Sequence, residues 1–456
     1  MGDPRRPGPG RIAVAGGGGV AVRAKRRLPV ARRRLRGCWP IMGLLLCAAT
    51  LAGAEPAPDG QPDTNAQLQD LFSSTNKVSS SLPAYLRMRQ LPATQFGNQL
   101  TATLAAELGL YDQAVALFPF GSAGPSSPAA ALPDQSAVAV DAAEAIARLS
   151  RGRRIVIVNE AHHLAQTRAL FLDLLPRLRQ QGFDHYCAEA LYDDEIGQRG
   201  YPLRSSGIYT REPVFGEVLR TAAKLGYSLC GYDADDAKTQ QARETGQAEN
   251  LARLLREHPD ARLIVHAGYG HARKDRTVAD AVPMAAELRR LTGLDPLTVD
   301  QTTLHADAPR SREHPAYRPL LAKLAGATRA SILLDAAGKP WSLQPTAYDV
   351  SVVLPDPAPA RGRAGWLWSL PGRLAVTGFV ADCDGHYPCA IEARHADESP
   401  EAVSADIVVR ERADANVPAF ALAAGQYRLR RVGPDGTVLG DAALQVAPMP
   451  PAADKP

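Results

Sequence analysis

The sequence predicts an α/β protein: a mostly parallel sheet with flanking helices, preceded by a small helical region and followed by a small all-β, sandwich-like module. Three observations predict the central part. Short β-branched runs recur at Ile155–Val158, Tyr186–Ala188, Ser228–Tyr232, Leu263–His266 and Leu297–Val299. Helical stretches separate them, at Leu164–Gly182, Phe215–Gly226, Gln247–Pro259 and Met284–Gly293. The strand-to-strand spacing, about 30–40 residues, suits the crossover helices that parallel strands require. Ser331–Asp335 reads as a further strand.

The N-terminus reads as an export signal. Val30–Gly37 is positively charged, Cys38–Leu51 is apolar and Ala52–Ala54 has the small-x-small cleavage pattern, so residues 1–54 are expected to be removed. The apolar run falls short of the ~20 residues of a membrane span. The expected location is the periplasm or the medium, with no stable span after processing. Glu55–Asn76 is polar and reads as a mobile lead-in, and Leu82–Phe118 is helical, with Leu100–Phe118 its clearest apolar stripe. Residues 55–120 thus form a lead-in plus helical region, 121–138 a Gly/Pro/Ser linker, and 139–345 the α/β domain.

From about Tyr348 the pattern changes to alternating strands broken by Gly, Pro and Asp: "DVSVVLP", "AGWLWSL", "LAVTGFVADC" and "SADIVVRE". "GPDGT" then signals a hairpin turn between two apolar runs. Residues 346–448 are the β-rich module and 449–456 a tail disordered by composition.

Composition excludes several functions. With 45% hydrophobic and 22% charged residues the chain is an ordinary globular protein. Its net charge of +4 comes from the first 42 residues, which hold eleven Lys/Arg against one Asp; the remainder is near −6. That sign gives no general attraction to nucleic acid. No G-x-G-x-x-G follows a strand, and neither G-x-x-x-x-G-K-[ST] nor G-x-S-x-G occurs, which argues against nucleotide binding and an ordinary serine esterase. Cys38 and Cys47 leave with the signal. Cys383 and Cys389 bracket a turn-forming insert and are the expected disulfide, whereas Cys187 and Cys230 sit in apolar runs and read as buried thiols.

In an open parallel sheet, ligands bind beyond the carboxyl ends of the strands. Glu160, His162 and His163 follow the first predicted strand, and Glu189 ends the second. Asp233, Asp235 and Asp236 follow the third. The fourth carries His266 and leads through "GYG", with Tyr269, to His271; Asp300 ends the fifth. Asp is common after strands for turn reasons, so those residues weigh less. Glu189 could equally be a structural ion-pair partner and His266 a core histidine. Imidazoles beside carboxylates are general bases or metal ligands. Two histidines and a glutamate could hold a divalent metal with an open position, His162, His271 and Glu189 being the set; the same groups could activate water without one. Sequence leaves both open.

"VNEAHH" after a strand, a strand ending in glutamate, "ARETGQAENL" and "LIVHAGYGHARK" together resemble the erythromycin esterase / ChaN-like / TIKI superfamily over about Arg153–Thr303, roughly a third of the chain. The family's first motif falls on Asn159-Glu160-Ala161-His162, with His163 as an alternative motif histidine. Its later motif falls on Gly268-Tyr269-Gly270-His271, the strand-end glutamate on Glu189, and its Arg-Glu pair on Arg243 and Glu244, with Asn250 in the helix that follows. Asn159 replaces a glycine of the family pattern; asparagine is the residue that next best tolerates a left-handed backbone.

The resemblance implies one of several activities: water activation for ester cleavage, metal-dependent proteolysis or haem binding. The expected function is an exported hydrolase of an ester or amide bond in a small molecule or peptide. Glu160, His162, Glu189 and His271 would be catalytic, with His163, Asp233, Arg243, Glu244, His266 and Tyr269 around them. The alternatives are a periplasmic haem- or metal-binding protein that does no chemistry, and a non-catalytic scaffold. Oligomeric state is left open.

Overall fold

A computed structural model describes residues 63–75, 78–122, 132–275, 281–324 and 326–448. The predicted signal, the middle of the predicted linker and the C-terminal tail lie outside the described residues.

Eight strands form the central sheet: β1 (Val138–Asp141), β2 (Ile155–Glu160), β3 (His185–Ala188), β4 (Ser228–Gly231), β5 (Leu263–Gly268), β6 (Leu297–Leu304), β7 (Ser331–Leu334) and β8 (Val350–Val353). Their order is β1-β7-β8-β6-β2-β5-β3-β4. The six from β8 to β4 run parallel, and β7 pairs antiparallel with both β8 and β1. β2 and β5 are buried at every position, which is why they read as near-continuous apolar runs. The chain leaves β2 toward β3 and β4, returns through β5, and crosses to β6 on the other flank of β2. The carboxyl ends of β2 and β5 therefore lie where the winding direction reverses.

Four helices precede the sheet: α1 (Thr64–Ser74), α2 (Leu82–Met88), α3 (Gln95–Glu107) and α4 (Tyr111–Leu117). The helices that follow are α5 (Ala142–Leu149), α6 (Gln166–Gln180), the single turn α7 (Ile196–Arg199), α8 (Pro213–Lys224), α9 (Gln240–Glu257), α10 (Met284–Thr292) and α11 (Tyr317–Lys323). In the C-terminal part, β9 (Leu374–Val376) pairs with β12 (Phe420–Leu422). A four-stranded antiparallel sheet of β10 (Cys389–His395), β11 (Asp406–Arg410), β13 (Gly425–Val432) and β14 (Val438–Val446) has the order β11-β10-β13-β14. The predicted hairpin turn joins β13 to β14, the amide of Gly433 donating to Thr437 O at 2.9 Å.

Several expectations change. The polar lead-in contains α1, capped by the Asp63 side chain and anchored by buried Leu68 and Phe72. The apolar stripe of Leu100–Phe118 is two helices, not one, because Gly109 takes φ +72° between them. "AGWLWSL" forms a 3-10 turn over Gly365–Ser369 that buries Trp366 and Leu367, so its apolar content reflects packing rather than a strand. "DVSVV" is β8 of the central sheet and not part of the β module. Cys187 and Cys230 are bonded to each other (S–S 2.06 Å, Cα–Cα 4.4 Å) as register partners on parallel β3 and β4; they are not free thiols. Cys383 and Cys389 are bonded as expected.

The two flanking regions share a core. Leu68, Phe72, Leu100 and Leu104 of the N-terminal helices pack with Trp366, Leu367, Ile407 and Val409 of the C-terminal part. Below this core Glu107 is buried between two arginines of the β3–α8 connection, Arg204 (2.9 Å) and Arg211 (3.1 Å). Buried pairs of this kind are poor sources of net stability but costly to break on one side only.

Candidate active site

β2 delivers Glu160 and, one turn beyond, His162. Nδ1 of His162 lies 2.8 Å from Glu160 Oε1. A carboxylate only accepts, so Nδ1 carries the hydrogen and Nε2 is the nitrogen presented outward. The imidazole lies flat on Tyr209, ring centres 3.6 Å apart at 8°, with its edge toward Tyr269.

Glu160 itself is saturated. Arg168 of α6 donates from Nε to Oε2 (2.5 Å) and from Nη2 to Oε1 (3.1 Å), and Nε2 of His266 lies 3.1 Å from Oε2. Burial would raise the Glu160 carboxyl, but the Arg168 guanidinium and His266 hold it well below the usual carboxylate range. With both oxygens occupied, Glu160 is placed to orient His162. His266 is the core histidine that the sequence left as an alternative: it stacks on Phe171 and Phe215, and its Nδ1 meets Tyr186 Oη at 2.6 Å.

A second dyad repeats the first. His271 stands on the 3-10 turn Tyr269–Ala272 after β5, with Nδ1 2.8 Å from Glu244 Oε2. Glu244 is held in turn by the Met284 amide at the start of α10 (2.7 Å) and by Gln240 (2.6 Å). Burial opposes charge on His271, but Glu189 and Glu244 raise it above its usual value. Its Nε2 lies 3.6 Å from Glu189 Oε1.

Glu189 sits between the two dyads. The Gly268 amide donates to its Oε2 and Arg243 Nη2 to its Oε1, both at 2.5 Å. Burial would raise this carboxyl; His271 and Arg243 hold it down. Arg243 also reaches Asp233 (3.1 Å), which accepts from Gln247 and from the Ala190 amide. Arg243 and Glu244 lie within α9, whose N-cap is Thr239, rather than before it. Gln240, Arg243, Glu244 and Gln247 thereby share one helix face toward the strand ends.

Gly268 has an ordinary φ of −75°, but a Cβ there would fall 2.6 Å from Glu189 Oε2 and 2.7 Å from His162 Nε2. Glycine is needed for room. The left-handed residue is Tyr269, at φ 38°, and Ala190, next to Glu189, is likewise at φ 53°. Non-glycine residues in this region are uncommon and collect at functional sites. Asn159 is no turn residue either: it lies buried in β2, donates to Tyr269 O (3.0 Å) and Asp300 Oδ1 (2.9 Å), and accepts from the Gln301 amide.

The remaining expected residues sit apart from the dyads. His163 stacks on Phe118, ring centres 3.6 Å apart, with Nδ1 3.1 Å from Tyr269 Oη; burial, with His305 nearby, depresses it well below its usual value. Asp235 meets Tyr192 at the rim (3.4 Å), and Asn250 donates to the carbonyls of Tyr232 and Asp233. Sequence reasoning missed Arg168 and Tyr209. Arg168 carried a signal, since it falls three residues before Phe171 on the buried stripe of α6, where a charge needs a partner. Tyr209 lies in an irregular connection with no periodicity.

The donor arrangement bears on a resident metal. Glu189 already accepts from a guanidinium and an amide, and among the described residues no group of three His, Cys, Asp or Glu is placed to hold an ion. As arranged, the residues do not fit one. Among the described residues no helix is long and apolar enough to cross a membrane.

No family model and no curated protein matches the sequence. Two solved structures described as bacterial protein toxins are similar in part. One, at 12% identity and TM-score 0.26, aligns over 51% of this chain and 45% of its own. The other, at 11% identity and TM-score 0.27, aligns over 54% of this chain and 68% of its own.

Proposed function

We propose that the protein is an exported hydrolase that cleaves an ester or amide bond in a small molecule or peptide by paired histidine acid–base chemistry. One observation carries the reading: two buried histidines each turn Nδ1 onto a carboxylate at 2.8 Å, His271 with Nε2 3.6 Å from Glu189 and His162 with Nε2 crowded, like Glu189 Oε2, against Gly268. His162 takes the proton of the attacking water at Nε2. His271, kept protonated by Glu189 and Glu244, donates from Nε2 to the carbonyl oxygen or leaving group. Tyr209 fixes the plane of His162, and Glu189 with Arg243 shapes the pocket between the dyads. Asn159 and Gly268 keep the two strand ends in contact.

No step is routed through a metal. The two disulfides support an oxidising compartment, in agreement with the export signal. His163 and Tyr269, a His and a Tyr of the kind a haem iron would draw on, are bonded to each other, and His163 is covered by Phe118.

The test uses the chain from Glu55, a series of p-nitrophenyl esters and a mixed peptide substrate. His162→Ala and His271→Ala should each lose hydrolysis by about 10²–10⁴-fold with the fold retained by circular dichroism. Hydrolysis retained in both variants would overturn the reading. Loss on chelation, restored by a divalent ion, would replace it with a metal-dependent one, and a Soret shift with haemin in a hydrolytically inert chain would favour the binding alternative.

A further inference from the structure

Arg168 belongs to no motif, yet it is the most enclosed charge near the site, 1% exposed. We propose that Arg168 is a positioning residue that fixes which nitrogen His162 presents, by holding Glu160 in the plane that accepts the Nδ1 hydrogen. The proposal rests on reading His162 as the base.

The geometry is that of a clamp held at both ends. Nε and Nη2 grip the two oxygens of Glu160, and a forked pair of this kind fixes the carboxylate's plane as well as its position. Nη2 also donates to the backbone carbonyl of His162 at 3.1 Å, so one guanidinium fixes both halves of the dyad. On the far side Nη1 donates to Glu212 Oε2 at 3.1 Å.

Glu212 cannot swing. It caps α8 by accepting from the amides of Val214 and Phe215, each at 2.9 Å, and it accepts from Tyr111 Oη of α4 at 2.9 Å. A continuous buried path therefore runs from the N-terminal helices to the imidazole: Tyr111, Glu212, Arg168, Glu160, His162. As a source of stability a buried cation between two carboxylates is unpromising, since apolar replacements of such triads are often neutral or better. As a means of holding an imidazole in one tautomer it is well suited, because a carboxylate held in place can only accept.

The test reads the tautomer directly in the full chain from Glu55. Histidine labelled with ¹⁵N gives distinct long-range ¹H–¹⁵N patterns for the Nδ1–H and Nε2–H forms, and His162→Gln identifies the signal. The wild-type signal is expected to be Nδ1–H. In Arg168→Met/Glu212→Gln, which removes the cation together with one of its two carboxylates and leaves Glu160 unclamped, His162 is expected to populate both tautomers. kcat on the best p-nitrophenyl ester should fall about 10²-fold at unchanged KM. Arg168→Lys donates to one oxygen only and cannot hold the plane, so a mixture is expected there too, and it decides the matter if the double variant fails to fold.

A His162 signal that stays wholly Nδ1–H in either folded variant overturns the proposal. The two readings fail separately. A tautomer that shifts in a chain without His162-dependent hydrolysis leaves the Arg168 role standing and removes the base. His162-dependent hydrolysis with an unmoved tautomer does the reverse.

Discussion

Gly268 and Glu189 are in direct contact. The amide of the first donates to Oε2 of the second at 2.5 Å, and a single added carbon on Gly268 would fall 2.6 Å from that oxygen. Gly268→Ala should therefore displace Glu189 or His162. The expected outcome is loss of hydrolysis comparable to His162→Ala with a stability loss of about 1–3 kcal/mol from overpacking, read by ester assay and urea unfolding. An active Gly268→Ala enzyme would mean that the two side chains do not need this spacing.

The second dyad sets a pH dependence. Burial notwithstanding, Glu189 and Glu244 raise His271 above its usual 6.5. A general acid with a raised value loses activity as pH rises through that value, so the alkaline limb of the rate profile should lie above 6.5. Its ion pairs stabilise the fold fully below 6.5 and progressively less through the same rise. In Glu244→Gln the alkaline limb should move down toward 6.5, and stopped-assay rate profiles across pH 5–9 check it.

A third expectation concerns the seam between α8 and the C-terminal sheet. Glu217 lies 2.8 Å from Arg373, 3.0 Å from Arg220 and 3.2 Å from His395. Burial would raise its carboxyl, but Arg373 and Arg220, with the hydrogen bond to His395, hold it below its usual 4.5. The stabilisation is present above 4.5 and lost as pH falls through the depressed value. Glu217→Gln should cost about 3 kcal/mol at pH 7 and progressively less toward pH 3, measured by urea unfolding at each pH.

The Cys187–Cys230 bond should be demonstrable and worth keeping. Peptide mapping without reduction should give one linked species containing both residues, and a second containing Cys383 and Cys389. Cys187→Ser/Cys230→Ser should lower stability by about 2–4 kcal/mol and loosen the strand ends that carry Glu189 and Asp233, lowering hydrolysis as well.

Much of the central sheet was legible because buried parallel strands such as β2 and β5 are nearly continuous apolar runs, whatever face they show. The strand-end residues followed from that, since Glu160, His162, Glu189 and His271 needed only the rule that loops open at the carboxyl edge. What was not legible depended on partners distant in sequence. Cys187 and Cys230 are 43 residues apart, and only the register of β3 on β4 brings them together. Glu160 looked like a base until Arg168 and His266 were found on both its oxygens. β8 reads like any short strand of the module after it, because nothing local distinguishes the sheet a strand joins. The crowding of Gly268 by Glu189 and His162, which is what requires a glycine there, leaves no mark in the local sequence.

The core that Leu68, Phe72, Leu100 and Leu104 share with Trp366, Leu367, Ile407 and Val409 has a consequence for biosynthesis. A ribosome makes the four helices nearly three hundred residues before the segment that covers them. Through that interval their apolar faces lack the C-terminal half of their core, and the closure that finally completes it spans almost the whole described chain. Such long-range closure folds slowly and leaves sticky intermediates open to aggregation. Shortening the chain from its C-terminal side should produce insoluble protein well before the cut reaches the strands that lead to His162 and His271.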